Sequence, residues 1–109
     1  MERQVDNRID ELKNLVLSMG GWVEKALEEA IEALTKQEVS RFAKVHEIEV
    51  KINEDHIIVD NACVGFLAKQ GPVAKDLRLL ISIIKINADL ERMGDQCVNI
   101  AYTGKDLLS

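Results

Sequence analysis

Apolar side chains in the first third of the chain stand at Val5, Ile9, Leu12, Val16, Met19, Val23, Ala26 and Ala30. The steps alternate between four and three for about four heptads. Such a seam leaves few folds open. An α-helix puts residues three and four apart on one face, and a stripe this long needs other helices to cover it. A second seam runs Val45, Glu49, Ile52, His56, Val59, Cys63, Phe66. Further on, Lys75, Arg78, Ser82, Lys85, Asp89, Arg92, Gln96 and Asn99 form one polar stripe on an otherwise apolar segment, the pattern of a helix packed against two others. The 109 residues include one Pro and six Gly, and aromatics are 4%, which speaks against sheets. The sharpest break is Gln70-Gly71-Pro72, with Gly suited to a helix end and Pro to a first helical position; a softer one lies at 35–40. Three helices are predicted, over 4–36, 38–70 and 72–104, each roughly 45–50 Å long at 1.5 Å per residue. Short connections make successive helices antiparallel. The expected fold is all-α: one antiparallel three-helix bundle over residues 1–109, with 47% apolar residues to fill its core.

Charge narrows the function. Fourteen Lys and Arg against 19 Asp and Glu give a net −5, a poor balance for nucleic acid. No apolar run reaches the ~18 residues of a membrane span, so no direct membrane insertion is expected. The opening MERQVDNRIDEL is too charged for a secretory signal. A Gly-rich phosphate loop, CxxC and GxSxG are all missing from the sequence, and nothing argues for an enzyme.

Two acids interrupt the apolar pattern. Glu49 occupies a seam position of the second helix, and Glu91 sits on the series Leu77, Ile84, Glu91, Val98 of the third, with Asp95 one turn on. If the second and third helices turn about residues 70–71, residue 91 lies level with 50 and residue 95 with 46. Glu49 and Asn53 then approach Glu91 and Asp95, an i, i+4 pair from each helix around one point. His46 falls near the level of Asp95, and Glu24, Glu28 and Glu29 near it on the first helix. Clustered carboxylates raise one another's pKa and are costly among Leu and Ile; a cation such as Fe, Mn, Mg or Zn resolves both problems. The alternative is an edge position paired with Arg92 or Lys51.

Smaller signals carry structural readings. Gly20-Gly21 inside the first helix cost about 1 kcal/mol each against Ala, which points to close helix approach or a kink; Gly94 is expected to clear space beside the acids. Cys63 and Cys97 fall far beyond disulfide reach and read as small apolar fillers. His56 reads as a seam histidine with a satisfied hydrogen bond, and neither histidine is taken as a ligand. Val50, Ile57 and Val64, with Leu15 and Trp22 on the first helix, are apolar surplus fit for a wide core or an interface.

The stretch QGPVAKDLRLLISIIKINADLERMGDQCVNIA resembles the PhoU family, through Pro-Val-Ala-x-Asp-Leu-Arg at the head of a helix and Asp-Leu-Glu-Arg-Met-Gly-Asp after it. LKNLVLSMGGWVEKALEEAIEAL is similar to the family's first helix, and Glu49-Val50-Lys51-Ile52-Asn53 to its acidic element on the second. The resemblance implies a three-helix bundle, usually repeated twice. It implies a cytoplasmic regulator of phosphate uptake and of the phosphate-starvation response, acting as a non-enzymatic adaptor between the phosphate ABC-transporter ATPase and a sensor histidine kinase and damping both. It also implies metal at the acid-x-x-x-Asp motif, here Glu91 and Asp95, with Glu49 and Asn53 as the weaker partner because Asn53 lacks the charge. One repeat is present, best resembling a first repeat, so a homo-oligomer, such as a homodimer, or a second repeat is expected beside it. A carboxylate-bridged metalloenzyme in a helical bundle and a metal-free structural module are the rivals. The former is weakened because no Glu-x-x-His occurs.

Overall fold

A computed structural model describes the backbone of residues 2–71 and 74–108, and the side chains of residues 6–69, 71 and 74–108. Helix α1 spans Glu2–Thr35, α2 Arg41–Gln70 and α3 Ala74–Leu108, with no strand among the described residues. They form an antiparallel three-helix bundle, a rod of 57 × 18 × 17 Å. The expected places of the Val5 side chain in the seam and of Pro72 at the head of the third helix lie outside the described residues.

Helix ends differ from expectation for local reasons. After α1 the chain closes through Gln37 in the left-handed conformation (φ 57°). Glu38 N–H donates to the Ala33 carbonyl (3.0 Å), the six-to-one bond of a Schellman end. Gln carries none of the turn signal that Gly would, so the second helix begins at Arg41 and not at 38. Gly71 (φ 51°, ψ 58°) closes α2 in the usual left-handed cap. Helix α3 runs four residues past 104, because Gly104 is an interior packing residue. A Cβ there would lie 2.7 Å from both Leu34 and Phe42.

The seams of α1 and α2 enter the core, which falls into two blocks. One is built on Met19, Val23, Ala26, Val45, Ile52 and Cys97. The other gathers Ile9, Leu12, Val59, Cys63, Phe66 and Leu80. Both cysteines are free and buried, as fillers are. Ile52 ends one block along α2 and Val59 opens the other; between them lies a polar level, with Asn87 only 2% exposed.

The glycines behave differently from expectation. Gly94 makes room for Ile52, whose Cδ1 would stand 3.1 Å from an added Cβ, and not for the acids. At Gly20 and Gly21 nothing lies within 4 Å of an added Cβ, so no close approach within the chain accounts for them.

Candidate functional site

The polar level joins α2 to α3. Helical spacing aims His56 at α3 and Glu91 at α2, and their Nε2 and Oε2 atoms lie 3.1 Å apart, an ion pair whenever the imidazole is protonated. One turn back on α3, the Asn87 amide Nδ2 donates to the His56 backbone carbonyl (3.1 Å). Three buried polar atoms here lack a hydrogen-bond partner: His56 Nδ1, Asn87 Oδ1 and Asp55 Oδ2. Burial pushes the Asp55 carboxyl above its usual range, Glu54 pushes it further, and Lys51 partly offsets both. The histidine read as satisfied thus has one free ring nitrogen.

Register differs from the expected alignment but leaves the two dyads at interleaved levels of one groove. Gly94 lies against Ile52 and Glu91 against His56, so α3 sits about six residues, or roughly 9 Å, along α2 from the expected alignment. The longer connection accounts for about half of this: α2 ends at Gln70 and α3 starts at Ala74, which moves the pivot from residues 70–71 to about 72. With Asp95 and Asn53 at levels in between, Glu49 is two helical turns, about 10 Å, from the level of Glu91. It lies instead near His46, one turn before it on the same helix (3.8 Å). The His46 ring packs edge-on against Tyr102 (5.0 Å between centroids). Asp95 and Asn53 are exposed, while Glu49 and Glu91 are half-buried.

Helix α1 does not complete the set. Glu29 and Glu32 face Arg41 (3.5 Å for Glu29), and Arg41 also holds Glu38. Glu24 and Glu28 are exposed. Nor do the basic groups considered for the edge reading take the acids: Arg92 pairs with Asp89, and Lys51 Nζ stands 5.3 Å over the Trp22 ring. Among the described residues no three His, Cys, Asp or Glu side chains are grouped to hold a metal ion. The four predicted residues line the α2/α3 groove, with their described side chains not gathered about one point. They form two staggered pairs along one groove, each with a histidine at its half-buried acid. His56, Asn87 and Asp55 were not foreseen as site residues. The signal was present in the seam position of His56 and in the polar Asn87 on an inner face, but only the true register joins them.

A family profile described as the PhoU domain matches residues 16–103. The phosphate-specific transport system accessory protein PhoU homolog of Pseudomonas putida is 39% identical over 101 residues, covering 93% of this chain and 40% of the relative. The corresponding PhoU protein of Escherichia coli K12 is 36% identical over 106 residues, 97% of this chain and 44% of the relative. The crystal structure of PhoU from Pseudomonas aeruginosa superposes with a TM-score of 0.91 at 37% identity, covering 94% of this chain and 49% of that one. The chain thus spans less than half the length of these relatives.

Proposed function

This chain belongs to the PhoU domain family, and on that premise we propose that it is an accessory regulator of a phosphate-specific transport system. The observation that carries this reading is the likeness to PhoU proteins over most of this chain, in sequence over residues 16–103 and in fold. The proposed role is non-enzymatic: an adaptor on the cytoplasmic side, touching the phosphate ABC-transporter ATPase and a sensor histidine kinase and damping both. A stiff rod with exposed apolar side chains on each helix suits such a scaffold, since such surfaces serve contact with other proteins. No described helix is long and apolar enough to cross a membrane.

Metal enters this reading as an occupant of the α2/α3 groove. Glu91 with Asp95, and Glu49 with Asn53, offer hard oxygen donors at two neighbouring positions, and the imidazoles of His56 and His46 stand beside them. That donor chemistry suits Fe, Mn, Mg or Zn. The test is capture of the transporter ATPase and the sensor kinase by the purified chain, with and without metal, beside measured metal content of Glu91→Ala and Asp95→Ala. Metal-dependent capture of either partner, and metal lost from both variants, are expected. Metal retained in both variants would overturn the site, and capture of neither partner would overturn the adaptor role.

A further inference from the structure

Where α2 begins and α3 ends, the groove between them deepens into a cavity of about 290 Å³. Small residues make it. Gly104 carries no side chain, so the Phe42 ring lies close under α3, where a Cβ at 104 would stand 2.7 Å from it. The buried Phe42 and Ala101 form the apolar base, and the short Ala43 leaves the space above them open. The His46 and Tyr102 rings, packed edge-on, border the same cavity, with Glu49 on the Nδ1 side of His46. At the mouth stand the Ser40 hydroxyl and the Lys105 ammonium. The Ser40 side chain makes no capping hydrogen bond to α2, and among the described residues no ion pair holds Lys105. The lining includes one cation and no Asp or Glu, in a chain whose net charge is −5.

We propose that this cavity seats the C-terminal residue of a partner polypeptide, with an aromatic or leucine side chain on Phe42 and Ala101 and the free α-carboxylate on Lys105 and Ser40. Size sets the first limit. Sites for small molecules and cofactors run from about 300 to 1,000 Å³, so this cavity lies at their lower end and takes one large side chain. Polarity sets the second. The apolar base calls for an apolar body, where a buried anchor residue contributes most to binding. The mouth calls for an anion, because an ammonium and a hydroxyl both donate to a carboxylate, and hydrogen bonds to a charged group are the stronger kind. One residue brings an apolar side chain and a carboxylate together only at the end of a chain, a group that proteins recognise as such. A free amino acid brings an ammonium as well, and the lining has no carboxylate to receive it. This inference goes beyond the adaptor reading and does not rest on it.

Nuclear magnetic resonance titration of the isotope-labelled 109-residue chain tests it. The probes are the peptide acetyl-Gly-Ser-Gly-Phe with a free carboxylate, the same peptide ending in an amide, and free phenylalanine. The carboxylate peptide is expected to shift the backbone amides of residues 39–46 and 101–105 saturably, with Kd about 0.1–1 mM, and the amide peptide to bind about three- to tenfold more weakly. Lys105→Met keeps the apolar stem and removes the charge; it weakens the carboxylate peptide by the same factor and leaves the amide peptide unchanged. Ala43→Phe fills the cavity and abolishes binding of both. Circular dichroism checks that each variant keeps its helicity; should Ala43→Phe unfold, Lys105→Met, changed at an exposed side chain, decides. Lys44→Met, outside the cavity, leaves binding as it was. No saturable shift up to about 10 mM, equal binding of the two peptides, or binding indifferent to both Lys105→Met and Ala43→Phe would overturn the site. Free phenylalanine bound as tightly as the peptide would overturn the assignment to a polypeptide end. None of these results bears on capture of the ATPase or the kinase, which decides the adaptor role separately.

Discussion

Replacing Asn87 by Leu should stabilise the fold, although it removes a hydrogen bond between helices. Asn87 is 2% exposed. Its Nδ2 donates to the His56 carbonyl, and its Oδ1 is buried without a partner. The lost hydrogen bond is worth about 1 kcal/mol net, while an unsatisfied buried oxygen costs about 1–3 kcal/mol. Leu is close in volume, so strain stays below about 1.5 kcal/mol, and its buried methyls add roughly 1 kcal/mol. The His56 carbonyl stays within α2 and keeps its place in the helix ladder, so no new orphan arises. The balance is a gain of about 1 kcal/mol. Urea unfolding at fixed protein concentration reads this as a midpoint raised by about 0.5–1 M with the slope unchanged. Asn87→Asp should do the reverse, losing on the order of 3 kcal/mol by placing a charge in the core. An Asn87→Leu variant less stable than wild type by about 1 kcal/mol or more would refute the reasoning, because Oδ1 would then have to be satisfied.

The glycines give a contrasting pair. Gly104→Ala drives a Cβ to 2.7 Å from Leu34 and Phe42, an overpacking of about 1–3 kcal/mol that outweighs the ~1 kcal/mol helix gain; Gly20→Ala, with open space, keeps the gain, and thermal melts of both variants read the difference. Burial pushes the thiols of Cys63 and Cys97 above the usual range, with Asp60 adding to the shift at Cys63. As pH rises past about 8.5 the unfolded chain releases those protons first, so stability should fall there, and the Cys63→Ala, Cys97→Ala variant should lose that slope in urea titrations. Asp55 behaves in the same sense at acid pH. The unfolded carboxyl ionises near about 3.9 while the folded one holds its proton higher, so stability declines as pH rises through that window. Asp55→Asn should be more stable than wild type at about pH 7 and equal to it near pH 3, by urea midpoints at both values.

The seam from Ile9 to Ala30, the second from Val45 to Phe66 and the left-handed Gly71 made three helices and their pairing legible from residues alone, because burial of a heptad stripe is a local property of spacing. The same reading located the odd acids Glu49 and Glu91 but set them at one level, where the structure staggers them. A slide of one helix past another by a turn or two still sets an apolar seam against an apolar seam, so the pattern cannot choose among registers. Packing chose: Ile52 fits against Gly94, Asn87 reaches the His56 carbonyl, and the connection from Gln70 to Ala74 is long enough to allow both. That choice put Glu91 beside His56 and set Glu49, Asp95, Asn53 and Glu91 in alternating order along one groove, with Asp95 and Asn53 exposed. Which faces stay bare was likewise settled only by tertiary structure, since Ile86 and Met93 carry the same side chains as core residues and differ from them only in having no neighbouring helix to cover them.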